Sequence, residues 1–197
     1  MKASLNSICV FCGSSAGHDP LYAEVARRVG ETLARRGIRL VYGGGRIGLM
    51  GEVARAALAS GGEVVGVIPE ALMRRELAYD DLTELHVVAT MHERKALMAE
   101  RSDGFIALPG GFGTFEELGE MLTWSQLGIH AKPVALLDVK GYYQPLLSLF
   151  DHAVTEGFVR PLHRSLVLAD ADPDRLLDVM ARFVPPKVEK WATPDQT

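Results

Sequence analysis

Apolar residues along the chain come in two patterns that take turns. Short unbroken runs such as ICVF, LVY and VVGVI have no polar face, as expected of strands buried on both sides. Between them lie longer stretches in which apolar residues recur every three or four positions, one face of a helix. The spacing predicts strands near residues 7–12, 39–42, 63–68, 86–89, 104–108, 133–138 and 165–169. The first helix carries Leu21, Val25, Val29 and Leu33 on one side, opens on Asp19-Pro20 and stops at Gly37. Alternation of strand and helix throughout predicts an α/β fold, a doubly wound parallel sheet of about seven strands with helices on both faces. Ligands of such sheets sit beyond the carboxyl ends of the strands, so the loops there are where chemistry is sought. One domain is expected over 1–184. The stretch PPKVEKWATPDQT, 185–197, has paired prolines and few apolar anchors and is expected to leave the core as a tail.

Composition narrows the classes. With 25 acidic against 21 basic residues in 197, the net charge of −4 gives no broad attraction for nucleic acid or an anionic membrane. No run approaches the ~20 apolar residues of a membrane span, and no basic leader precedes an apolar core, so a cytoplasmic protein is expected. Cys9 and Cys12 form a C-x-x-C inside a strand, where positions i and i+3 point to opposite faces. They are expected as buried core thiols.

Three strand ends carry small residues: CGSSAG, GGGRIGLMG and PGGFGT. Glycine lets backbone N–H groups approach a ligand unhindered, and together with Ser14 and Gly45 these loops outline one phosphate-friendly edge. Gly43, Gly45 and Gly48 satisfy G-x-G-x-x-G, with Glu63 and Glu70 near the spacing of a ribose-binding acid. Turn chemistry with close packing, nucleotide or phosphoribosyl contact, and a dinucleotide site all remain open for that loop. There is no G-x-x-x-x-G-K-[ST], and His92-Glu93 lacks a second histidine at helical spacing. Neither a metal nor a cofactor is expected.

Thr114-Phe115-Glu116-Glu117 matches a capping box, which is the plain explanation of Glu117, and Thr90-Met91-His92-Glu93 matches another. The second is followed by Arg94 and Lys95, cations in a helix's first turns, where the dipole disfavours them by ~0.3–1 kcal/mol each. Their plain alternative is a solvated face pairing with Glu93 and Glu100. Because the two preceding strands are consecutive, both helix starts are expected near one edge. Arg94 and Lys95 would then face a phosphate that also accepts bonds from the N–H groups of Gly110, Gly111, Gly113 and Thr114. Adjacent helical residues diverge by about 100°, so only one of Glu116 and Glu117 can face that ligand. Glu117, on the side of Thr114 and Met121, suits a carbon that becomes positive, as at a sugar's anomeric centre.

PGGFGTFEE at 109–117 is similar to the PGGxGTxxE signature of the LONELY GUY (LOG) family, and MHERK at 91–95 resembles its second signature. The likeness runs through CGSS, GGGRIGLMG, LTELHVV, TWSQLGIHAKPV, GYYQPLL and EGFVRPLHR. The resemblance implies a Rossmann-like homodimer that hydrolyses the N-glycosidic bond of N6-modified adenosine 5′-monophosphates, or of AMP. It implies Arg94 and Glu117 as the catalytic pair, with Glu76, Lys95, Thr123 and the loop residues Gly110, Gly111, Phe112, Gly113 and Thr114 at the substrate. Its departures are Phe115, where leucine is usual, and AYDD at 78–81, near Glu76. Relatives of this fold resemble carriers of the molybdenum cofactor, which leaves a non-catalytic binding protein as the alternative. An NAD-dependent oxidoreductase lacks a separate substrate domain, and lysine decarboxylation calls for a pyridoxal phosphate lysine in a larger scaffold. Leu118, Met121, Leu122 and Trp124 are expected in the core, or else at a dimer interface.

Overall fold

The computed structural model describes residues 5–73, 79 and 81–186. Seven strands form one sheet: β1 (Ser7–Phe11), β2 (Arg39–Tyr42), β3 (Val64–Pro69), β4 (Glu84–Val88), β5 (Gly104–Ala107), β6 (Val134–Leu137) and β7 (Val167–Asp170). Every pairing is parallel and the order is β4-β3-β2-β1-β5-β6-β7. The helices are α1 (Pro20–Arg35), α2 (Gly48–Ala59), α3 (Met91–Glu100), α4 (Phe112–Gln126), α5 (Gln144–Thr155), α6 (Pro161–Arg164) and α7 (Pro173–Met180). Each expected strand is present, with ends moved by one or two residues. None of the helices among the described residues is long and apolar enough to cross a membrane.

The unbroken apolar runs are explained by two cores, one on each face. Along β1 the side chains alternate: Ile8, Val10 and then Cys12 join the core under α1, α2 and α7, while Cys9 and Phe11 join the core under α3 and α4. Cys9 and Cys12 are therefore buried thiols in different cores, and burial above all raises both thiol pKa values. In α1, Asp19 caps the start by accepting from the N–H of Leu21 at 2.9 Å, and Val29 and Leu33 lie fully inside. Burial of each such aliphatic side chain is worth ~1.5–3 kcal/mol.

Consecutive strands are not neighbours everywhere. β4 lies on the edge and β5 lies beside β1, so three strands separate the starts of α3 and α4. Both helix starts do lie at the carboxyl edge of this all-parallel sheet, but β4 and β5, although consecutive in the chain, are not neighbours in it. What unites them is the crossover: α3 leaves the edge strand and packs back across β3 on its way to the middle of the sheet.

Candidate functional site

The order in which successive strands are added reverses between β1 and β5. The connection from β1 goes to α1 on one face and the connection from β5 goes to α4 on the other, which opens a crevice at the carboxyl edge. The two loops are tied together, since Gly13 N donates to the carbonyl of Pro109 at 3.1 Å. A cleft of about 290 Å³ lies there, lined by Ser14, Ser15, Tyr22, Gly110, Gly111 and Tyr142 among others.

Helix α4 starts earlier than the capping-box pattern at Thr114 implies. Its N-cap is Gly111, which supplies no side-chain bond, and Thr114 is already inside the helix. The T-x-x-E pattern therefore does not cap this helix, and Glu117 is released from that structural role. Among the described residues no acceptor meets the N–H groups of Gly111, Phe112, Gly113 and Thr114. A Cβ on Gly111 or Gly113 would touch nothing, whereas one on Gly110 would strike Thr114. Open glycines at a helix start with free donors make an anion cradle. Phe112, 91% exposed, stands at its lip. The cradle is braced from behind: Tyr142 donates its hydroxyl to the carbonyl of Gly110 at 2.5 Å, and buried Tyr143 donates to that of Leu108 at 2.6 Å. These tyrosines were missed as positioning groups; the pair YY ahead of a helix was the visible signal.

The Thr90 cap of α3 is real, with Oγ1 accepting from Glu93 N at 3.1 Å, and Glu93 reaches back to Ala89 N rather than to Thr90. One turn on, Arg94 is buried at 4% exposure. Its Nε donates to the carbonyl of Val67 at 3.1 Å and its Nη2 to that of Gly43 at 2.8 Å. A Cβ on Gly43 would collide with this guanidinium. Glu117 is a half-buried residue of α4. Both charges act on the thiol of Cys12 at the end of β1: after burial, Glu117 raises its pKa and Arg94 lowers it. Both act on Cys9 in the same two senses. Both charges are thus felt by the thiols along β1.

Lys95, expected at the phosphate, meets carboxylates of α4 in this structure. Its side chain, 7% exposed, ion-pairs with Glu116 and, at 3.1 Å, with Glu120. Burial lowers the ammonium's pKa, but the two carboxylates outweigh it and raise the value. Glu116, the second acid of the glycine-loop helix, has its partner here.

A family model described as "Possible lysine decarboxylase" matches residues 50–180. A rice protein (Oryza sativa subsp. japonica) named "Probable cytokinin riboside 5'-monophosphate phosphoribohydrolase LOGL1" is 53% identical over 92% of this chain and 82% of its own length. Cytokinin riboside 5'-monophosphate phosphoribohydrolase LOG1 of Arabidopsis thaliana is 50% identical over 94% of this chain and 87% of its own. The chain belongs to the LOG family. Its fold is also that of the molybdenum cofactor binding protein from Rippkaea orientalis, with a TM-score of 0.68 over 89% of this chain and 95% of that one at 23% identity.

The other candidate residues are less closely grouped. Ser14 is exposed on the cleft wall. Thr123 is exposed two and a half turns along α4 from Thr114, donates to the carbonyl of Gly119 at 2.7 Å, and lines a separate hollow of about 240 Å³ with Leu122, Phe150 and Leu166. Glu76 lies outside the described residues. Gly45 is buried, and the surrounding G-x-G-x-x-G loop is spoken for from within. The first N–H groups of α2 point at the carbonyl of Gly13, with Leu49 N at 3.0 Å, so this helix start is occupied by the chain itself. Glu63 precedes β3, at the opposite edge of the sheet, and pairs with Arg39. It cannot serve as a ribose-binding acid, which leaves Glu70, directly after the carboxyl end of β3, as the acid at that spacing.

Proposed function

We propose that this chain hydrolyses the N-glycosidic bond of nucleoside 5′-monophosphates, N6-modified AMP and AMP itself, to free base and ribose 5-phosphate. The observation that carries the reading is a cradle of backbone N–H groups at the start of α4 with a carboxylate one turn further along the same helix. Gly113 and Glu117 are four residues apart, ~6 Å along the axis, a length that a ribose bridges. The free N–H groups hold the 5′-phosphate, and the guanidinium of Arg94 adds a fixed positive charge from the other wall. As the bond from C1′ to the base nitrogen lengthens, Glu117 stabilises the positive charge on the sugar through its hydroxyls or through the attacking water. The water oxygen bonds to C1′, and its proton leaves with the base. Half-identical relatives that bear this activity in their names support the reading over a carrier.

A second copy of the chain belongs to this reading. α5 has no fully buried residue, and Leu149 (57% exposed), Phe158 (87%) and Ile129 (63%) lie on or near α4 and α5. A homodimer that covers them is expected as a doubled mass in light scattering.

Glu117→Gln tests the chemistry. Chromatography of free base should show kcat reduced ~10²–10⁴-fold, with binding of AMP retained. Near-normal turnover would remove Glu117 from the reaction. A panel of nucleoside monophosphates that yields no free base with the wild-type chain would return the protein to the carrier reading.

A further inference from the structure

We infer that Lys95 is a positioning residue, a clamp that sets the rotation of α3 against α4 and so aims Arg94 and Glu117, rather than a ligand of the phosphate. The charges decide it first. One ammonium between two carboxylates leaves the cluster Lys95, Glu116 and Glu120 with a net charge of −1, which repels a phosphate dianion. The lysine is also nearly sealed from solvent, and a phosphate would have to displace Glu116 to reach it. Oε2 of Glu120 is buried without a hydrogen bond, and its ion pair with Lys95 at 3.1 Å is what compensates it. Withdrawal of the lysine toward a substrate would strand that oxygen.

Geometry then gives the cluster its task. Glu116 and Glu120 are one turn apart, on one face of α4. Arg94 precedes Lys95 on α3, and Glu117 follows Glu116 on α4. Successive helical residues diverge by about 100°. Once Lys95 is locked to Glu116, the directions of Arg94 on one helix and Glu117 on the other are locked too. Arg94 is held a second time by the carbonyls of Val67 and Gly43.

The kinetic readout rests on the proposed hydrolase activity, whereas a binding and a stability readout do not. Lys95→Met should lower kcat for release of base from AMP by ~10²-fold through misplacement alone, with little change in KM or in the affinity for ribose 5-phosphate. Lys95→Arg should restore most of the rate, because a guanidinium can fork between two carboxylates. Glu116→Gln/Glu120→Gln should lose rate as Lys95→Met does; a phosphate-binding lysine predicts the opposite, unchanged or tighter binding once its competitors are gone. Melting of Lys95→Met, Glu116→Gln and the pair together should be non-additive in a double-mutant cycle. A ~10-fold weaker affinity of Lys95→Met for ribose 5-phosphate with kcat kept, full turnover in the glutamine pair, or additive melting would each overturn the clamp. If the wild-type chain cleaves no nucleotide, only the hydrolase reading falls, and calorimetry with ribose 5-phosphate and the melting cycle still judge the clamp.

Discussion

Two glycine loops reach the same edge of the sheet, and their glycines are there for opposite reasons. In the loop at 43–48, Gly43 makes room for the guanidinium of Arg94, Gly44 and Gly48 have φ of +79° and +59°, and Gly48 lies against the backbone of Ser14. The loop at 110–113 begins alike, with Gly110 wedged against Thr114, but a Cβ added at Gly111 or Gly113 would meet nothing among the described residues. A glycine required from within describes the scaffold. One that the chain does not need for itself describes what approaches from outside.

The contrast can be broken by substitution. Gly48→Ala forces a Cβ into the backbone of Ser14 at a left-handed φ, and should cost roughly 2–5 kcal/mol; a denaturant midpoint like that of the wild type would end the scaffold half of the comparison. Gly113→Ala should act in the other currency. It should leave stability equal or higher by up to ~1 kcal/mol, since alanine suits a helix better, yet weaken ribose 5-phosphate by ~10-fold, or ~1.4 kcal/mol. Loss of stability without loss of affinity would show that this glycine, too, serves the scaffold. Tyr142→Phe should have the smallest effect. It removes one hydrogen bond from the carbonyl of Gly110, worth ~1 kcal/mol, and should raise KM several-fold with kcat and melting nearly unchanged. A fall in kcat alone would detach Tyr142 from the cradle.

Legibility in the sequence followed the range of the interactions. Strands, the Asp19 and Thr90 caps and the opposed faces of Cys9 and Cys12 rest on neighbours a few residues away, and all were readable. The cap at Thr114 was misplaced because glycine can begin a helix without a side-chain bond, so the apparent T-x-x-E outcompeted a start with no polar signature. The carboxylate partners of Lys95 were hidden for another reason. A cation near a helix start looks like an anion site until the helix that packs against it, with Glu116 and Glu120, is in place. The bracing role of Tyr142 and Tyr143 was hidden because their acceptors, Gly110 and Leu108, are more than thirty residues away.

From the residues alone came the alternating layers, the two-sided burial of the sheet and the kind of chemistry at 109–117, because periodicity, glycine and charge act locally. The order of the strands did not. Only the folded chain set β4 on the edge and β5 beside β1, and only the crossover of α3 carried Arg94 back to the carbonyls of Val67 and Gly43. Strand order is chosen by packing among segments distant in sequence, and no local spacing encodes which of them will meet.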